Sequence, residues 1–271
     1  MKKNKTNIIL VVMFLTGFSV MLYPLFSEHW NAKVQSAVVA SYSTTVQNMS
    51  KQEYQKIFEE AEAYNDELKQ ISQPFVHYEE VPGYEDILDI SGNGIMGYVT
   101  IDKIKVELPI YHGTSEGVLQ AGVGHLAGSS LPVGGKGTHA VLSAHRGLPS
   151  AQLFSDLDKL EEGDTFQITV LNRVLTYQVD QIRIVEPDDV KELEPDPQRE
   201  YCTLMTCTPY GINTHRLLVR GIRVEGLDGE NVPADAYMLK PQIVAFVSAV
   251  GMTVVLVLLT LALRLIKRKK G

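Results

Sequence analysis

Two cysteines, Cys202 and Cys207, and seven histidines hold most of the chain's nucleophilic and general acid/base potential. A thiol becomes a nucleophile when an imidazole or a nearby cation draws it toward the thiolate. The run 201–207 reads as a strand. Five residues apart on one extended segment, the two cysteines stand about 16 Å apart on opposite faces. A disulfide needs Cα atoms about 4.4–6.8 Å apart, so they do not pair with each other. Cys202 fits the ordinary role of a lone cysteine, a small buried hydrophobe. Cys207 stands at the strand end beside Thr208-Pro209-Tyr210-Gly211, where proline and glycine impose a turn, and is therefore a rim residue. His29 and His77 lie outside the strand-rich region, which leaves His112, His125, His139, His145 and His215. His145 leaves a strand and enters the loop Ser143-Ala144-His145-Arg146-Gly147-Leu148-Pro149, so it too is at a rim. His139 begins that strand and reads as structural. A strand, a turn and a returning strand bring Arg216 back beside Cys207, where its guanidinium could donate to an oxyanion or a substrate carbonyl. Spacing alone leaves the trio Cys207, His145 and Arg216 open against the reading of scattered structural residues.

Other chemistries find no support. The chain has no His-Glu-x-x-His pair and no Walker A loop. Gly134, Gly135 and Gly137 suit a tight turn and form no dinucleotide fingerprint. Asp188-Asp189 sits among Pro187, Pro195 and Pro197 as a solvated acidic loop. Two cysteines exclude a disulfide framework and a four-cysteine zinc site, and no cofactor or metal is expected. With 25 Lys+Arg against 32 Asp+Glu and a net charge of −7, the body offers no basic face for nucleic acid. At 45% hydrophobic and 21% charged residues over 271 positions, the chain can bury a real core.

The elements that must carry these residues follow from the pattern. Strand-like runs at 97–101, 106–111, 138–143, 166–170, 174–179, 201–207 and 217–224 lie close together with few helices between them. The pair 166–170 and 174–179 flanks Leu171-Asn172-Arg173 as a hairpin. The set argues a mostly antiparallel barrel or sandwich over 95–228. Before it, Tyr54, Ile57, Phe58, Ala61 and Tyr64 recur at helical spacing, giving one or two amphipathic helices within 30–72 that pack on the domain. Residues 73–94, with Pro74, Pro82, Gly83, Gly92 and Gly94, read as a loop or linker. An apolar run of about 19 residues, 8–26, follows Lys2, Lys3 and Lys5 and is long enough to span a bilayer. It ends in bulky residues where a signal peptidase needs small ones, so 1–29 reads as an uncleaved anchor, with a cleaved signal as the alternative. A second apolar run, 243–263, precedes Arg264-Leu265-Ile266-Lys267-Arg268-Lys269-Lys270 and follows a linker at 229–242. The positive-inside rule puts both termini in the cytoplasm and the domain between them outside.

Three separated motifs resemble the sortases, membrane-bound cysteine transpeptidases of Gram-positive cell surfaces. Thr203-Leu204-Met205-Thr206-Cys207 matches the family's Thr-Leu-x-Thr-Cys. His145 in Ser143-Ala144-His145-Arg146-Gly147 and Arg216 in Thr214-His215-Arg216-Leu217 match its histidine and arginine. The stretch 145–158, the ending 208–216 and the second span resemble the class C branch. That resemblance implies an eight-stranded β-barrel with Cys207 as nucleophile, His145 as general acid/base and Arg216 stabilising the oxyanion or substrate. It also implies cleavage of a Leu-Pro-x-Thr-Gly sorting signal on a pilin or surface-protein precursor, and transfer to a lysine amine of a pilin subunit. A housekeeping sortase, transferring to cell-wall peptide, is the alternative within the family; a membrane-tethered, non-catalytic scaffold is the alternative outside it. Class C members carry an Asp-Pro-aromatic lid; here the corresponding residues are Gln73, Pro74 and Phe75. Without the acid to pair with Arg216, residues 73–94 are expected to be mobile or displaced from the site.

Overall fold

The computed structural model describes residues 2–224. The linker at 229–242 and the span expected at 243–263 lie outside the described residues. Eight strands close into a barrel in the order β1-β2-β3-β4-β7-β8-β6-β5. They are β1 (Ile95–Ile101), β2 (Val106–His112), β3 (Val123–His125), β4 (Thr138–Ser143), β5 (Thr165–Val170), β6 (Arg173–Val185), β7 (Glu200–Thr208) and β8 (His215–Arg223). Closure removes every sheet edge. The β5–β6 hairpin turns through Leu171-Asn172, with Val170 opposite Arg173 and Leu171 at φ +51°. β6 runs six residues past the expected end at 179, because Gln181 to Val185 pair with Arg220 to Arg216 of β8.

Two pairings are parallel, β2 with β3 and β4 with β7. The second decides the layout. β4 and β7 run side by side, so Ser143 and Thr208 finish at the same end of the barrel, and β8 starts back from that end at His215. On β7, Cys202 and Leu204 point into the core with Ala140, Leu142 and Val219. Met205 points outward and joins Val141, Leu193 and Leu218 in a second, smaller cluster on the outer face. The period of two along the strand puts Cys207 on that outer face as well.

A helix α1 (Lys2–Gln47) and a helix α2 (Lys51–Leu68) precede the barrel. Within 30–72 the chain forms two helices that pack on the domain, α2 and the C-terminal part of α1, and α1 is continuous with the apolar segment before it. No glycine or proline occurs between residues 27 and 47 to stop the helix, so it continues as one element. The apolar segment starting at Leu10 is long and hydrophobic enough to cross a membrane, and its side chains are uncovered. Further along, the side chain of Asn31 donates to Ser150 O (2.9 Å) and that of Gln35 to Ala121 O (3.1 Å). Tyr42 Oη donates to Met96 O and accepts from Leu171 N, fixing the helix to the opposite end of the barrel. α2 starts with a capping box: Ser50 Oγ accepts from Glu53 N, and Glu53 Oε2 accepts from Ser50 N. Its Phe58, Ala61 and Tyr64 are buried on the barrel, as their spacing predicts, and Leu68 is buried with them.

Residues 73–94 are an ordered strap, contrary to the linker reading. It begins with a short helix α3 (Pro74–His77) and a 3₁₀ turn Tyr78–Glu80. The buried Tyr84 hydroxyl lies 3.0 Å from both His125 Nδ1 and His125 O, and Gly113 N donates to it. His112 places its ring nitrogens 3.0 and 2.8 Å from Gly94 O and Ile87 O. The Asp89 carboxylate accepts from the backbone of Ser91, Asn93 and Gly94. Pro and Gly in this stretch shape turns that side chains then fasten to the barrel.

Burial lowers two histidines to about 4 from their ordinary 6.5: His125, against Ser130 O, and His139, between Glu194 O and Thr203 Oγ1. His139 is structural, as read. Their folded values lie below the unfolded one, so the unfolded chain binds more protons between pH 6.5 and 4, and stability falls as pH falls through that window. Each histidine accounts for roughly 3 kcal/mol when the window is crossed. Denaturant midpoints measured at pH 7 and at pH 4.5 should therefore differ markedly, the acid one being lower; an unchanged midpoint contradicts the buried neutral state of both rings.

Candidate functional site

The strand register brings Cys207 and Arg216 together. They are directly opposed across β7 and β8, with Met205 against Leu218 next along the same face. The turn at 209–214 returns the chain in time for this, with Ile212 N and Asn213 N both bonded to Pro209 O. His145 arrives from the other side. Ser143 pairs with Met205, Ala144 N donates to Met205 O, and Thr206 Oγ1 donates to Ala144 O at 2.7 Å. Two more residues of each chain put His145 level with Cys207 on the outer face. The loop is held from behind by Phe154 N donating to His145 O. Cys207 on β7, Arg216 on β8 and His145 in the loop just past β4 thus meet at one end of the barrel, and all three are half-buried.

The two thiols differ as their places demand. Cys202 is fully enclosed and burial pushes its thiol well above its usual value, so it stays protonated and inert. Cys207 is reachable from solvent. Among the described residues no carboxylate lies within ion-pair distance of Arg216; Arg216 Nη1 donates to His215 O at 3.2 Å, leaving most of the guanidinium fork free to donate outward.

Two residues beside His145 were not singled out by the sequence. Glu116, on the short helix α4 (Glu116–Ala121), has its Oε1 3.4 Å from His145 Nε2, without hydrogen-bond alignment. Its carboxyl is held below its ordinary value, first by the Gln120 amide and then by the positive charge His145 can carry. Arg146, next to His145, pairs with Asp158, donates to Thr208 Oγ1 at 3.3 Å and lies over the Tyr210 ring. It ties the histidine loop to the end of the cysteine strand. Neither Glu116 nor Arg146 sits in a recognisable spacing relative to Cys207, because the fold alone assembles them.

Phe75 is seated, not displaced. It packs on the outer-face cluster of Val141, Leu193 and Leu218, and lines a cleft of about 160 Å³ with Met205, Arg216 and Val185. The physical reason is backbone fit plus apolar burial. Gly128, at φ +87°, lets Pro74 O and Phe75 Cα approach so closely that a Cβ at 128 would lie 2.5 Å from Pro74 O. Gln73 itself only starts the turn, at φ +57°, its carbonyl accepting from Val76 N and His77 N. The apolar side chain holds the segment without the missing acid.

A family model described as a sortase domain matches residues 99–224, which contain Cys207, His145, Arg216, Glu116 and Arg146. Sortase C1 from Streptococcus agalactiae is 50% identical, with 69% of this chain and 98% of that chain aligned at a TM-score of 0.64. The chain belongs to the sortase family. The chain is also similar to sortase C from Streptococcus pneumoniae, 47% identical over 69% of this chain and 96% of that one, TM-score 0.63. Sortase C of Clostridium perfringens, solved with a C-terminal cell wall sorting motif, is 41% identical over 70% and 99%, TM-score 0.62. Against curated relatives the likeness is shorter. Sortase D of Bacillus subtilis is 33% identical over 47% of this chain, and the chain spans 63% of that protein's length. Sortase A of Streptococcus agalactiae is 30% identical over 54%, with 59% of its own length spanned. The sortase fold of this chain is therefore class C-like.

Proposed function

We propose that this sortase is a membrane-anchored cysteine transpeptidase that cleaves a Leu-Pro-x-Thr-Gly-type sorting signal and joins it to a lysine amine of a pilin subunit. The observation that carries the reading is the register that opposes Cys207 to Arg216 with His145 level beside them. In this scheme the Cys207 thiolate attacks the threonine carbonyl carbon. The carbonyl electrons move onto oxygen, where Arg216 donates to the oxyanion. Collapse breaks the Thr–Gly C–N bond, and His145 passes its proton to the departing glycine amine. The resulting thioester accepts the lysine amine, whose proton goes to His145, and the thiolate leaves restored. Glu116 places Oε1 3.4 Å from His145 Nε2. Likeness to sortases C at 41–50% identity supports the pilin-joining branch over the housekeeping one. Each end of the chain is proposed to be cytoplasmic, with the barrel outside.

The nature of the second substrate is the decisive point. Full-length enzyme given a sorting-signal peptide and equal amounts of a pilin-lysine peptide and a cell-wall-type peptide amine should yield mainly the lysine-linked product by mass spectrometry. Predominance of the wall-peptide product assigns the chain to the housekeeping branch instead.

We further read Gln73, Pro74 and Phe75 as a lid that competes with the substrate for the cleft beside Arg216. Half-burying a phenylalanine is worth about 1 kcal/mol, or roughly fivefold in an equilibrium. Phe75→Ala should lower KM for a sorting-signal peptide about fivefold while kcat stays within about twofold. A fall in kcat with KM unchanged sinks the lid role.

A further inference from the structure

α1 enters the barrel from one particular end. Asn31 and Gln35 bond to Ser150 and Ala121, in the loops around His145 and α4, whereas Tyr42 bonds to Met96 and Leu171 at the far end. Eleven residues of helix cover roughly 16 Å, so α1 runs down the barrel wall from the Cys207 end to the opposite one. Its apolar segment must then project from the Cys207 end. From Phe26, where the apolar run stops, to Asn31, which bonds the helix to the loop carrying Ser150, the helix rises only about 7–8 Å. That matches the thickness of one headgroup layer, about 5–8 Å.

At this same end the turn after β7 exposes two large apolar side chains, Tyr210 (62%) and Ile212 (68%). The turn is adjacent to the α1 attachment: Gly147 packs on the Tyr210 ring, and Ser150, three residues on, holds Asn31. On α1, Tyr23, Phe26 and Trp30 are likewise exposed at the level where aromatic residues anchor a span.

We propose that the Cys207 end of the barrel rests on the bilayer surface, with Tyr210 and Ile212 entering the headgroup interface, so that the site opens along the lipid surface. This rests on reading 8–26 as a retained membrane span, which the test separates from the proposal itself.

The chain has a single tryptophan, Trp30. Full-length protein is reconstituted into phosphatidylcholine–phosphatidylglycerol vesicles containing lipids brominated near the top of the acyl chain. Three single-tryptophan forms are compared: the natural chain, Trp30→Phe with Ile212→Trp, and Trp30→Phe with Lys136→Trp at the opposite end. Trp30 and the tryptophan at 212 should each be quenched about twofold or more, and the one at 136 by less than about a tenth. Quenching at Trp30 with none at 212 holds the barrel away from the bilayer and overturns the proposal with the anchor intact. Quenching at both 212 and 136 lays the barrel on its side and overturns it too. No quenching at Trp30 removes the anchor, and the proposal with it. None of these readings depends on enzymatic activity.

Discussion

Cys207→Ala should abolish transpeptidation, by at least about 10⁴-fold in kcat, because no other described thiol can form the thioester. Cys202→Ala should keep activity within about threefold. It removes one sulfur from a packed interior at a cost of about 1 kcal/mol and leaves the outer face untouched. Mass spectrometry of enzyme trapped with a sorting-signal peptide should find the acyl adduct on Cys207 and nowhere else. An adduct on Cys202, or turnover by Cys207→Ala, would falsify the assignment. The contrast is large because the two sulfurs differ in kind of place: one is walled in by Leu204, Val219 and Ala140, the other lies at a strand end opposite a guanidinium.

Arg216→Ala should cost about 10²–10³ in kcat/KM, the loss measured when one oxyanion donor is removed elsewhere, about 2.7–4 kcal/mol. Arg216→Lys should recover little of it, since an ammonium cannot reproduce a planar fork aimed at a carbonyl oxygen. Thermal unfolding should barely move in either variant. Arg216 has no carboxylate partner among the described residues, so its removal orphans no charge. A matched fall in melting temperature would mean the guanidinium is structural, and the activity loss would then say nothing about the oxyanion.

Much of this site could be read before any coordinates because its strands are local. β7 and β8 are joined by a short turn, so counting residues through Pro209 and Gly211 suffices to bring Arg216 back to Cys207. The opposite faces of Cys202 and Cys207 follow from the same period of two. What the sequence hid is what depends on distant pairing. The parallel neighbours β4 and β7 begin more than sixty residues apart, and only their pairing puts His145 level with Cys207. β3 and α4 lie in a glycine-rich stretch whose composition suggests a loop, so Glu116 gave no signal. The seating of the strap at 73–94 depends on a fitting backbone rather than on the missing charge. Gly128, more than fifty residues away, is what admits Pro74 and Phe75. Hydropathy changes after Phe26 and sets the anchor at 1–29 apart from the helices after it, although nothing in the backbone chemistry from 27 to 47 requires the helix to stop.

The opposed faces of the two cysteines also set how the protein meets oxidants. A thiolate oxidised to a sulfenic acid is ordinarily rescued when a second thiol of the same molecule condenses with it. Cys202 cannot serve, since its sulfur lies on the other side of the sheet and inside the core. Damage at Cys207 therefore either waits for a small external thiol or proceeds to the irreversible acids. The same separation spares the molecule from locking itself shut through an internal disulfide, so a brief pulse of peroxide followed by a thiol reductant should restore activity in full, whereas a prolonged one should not.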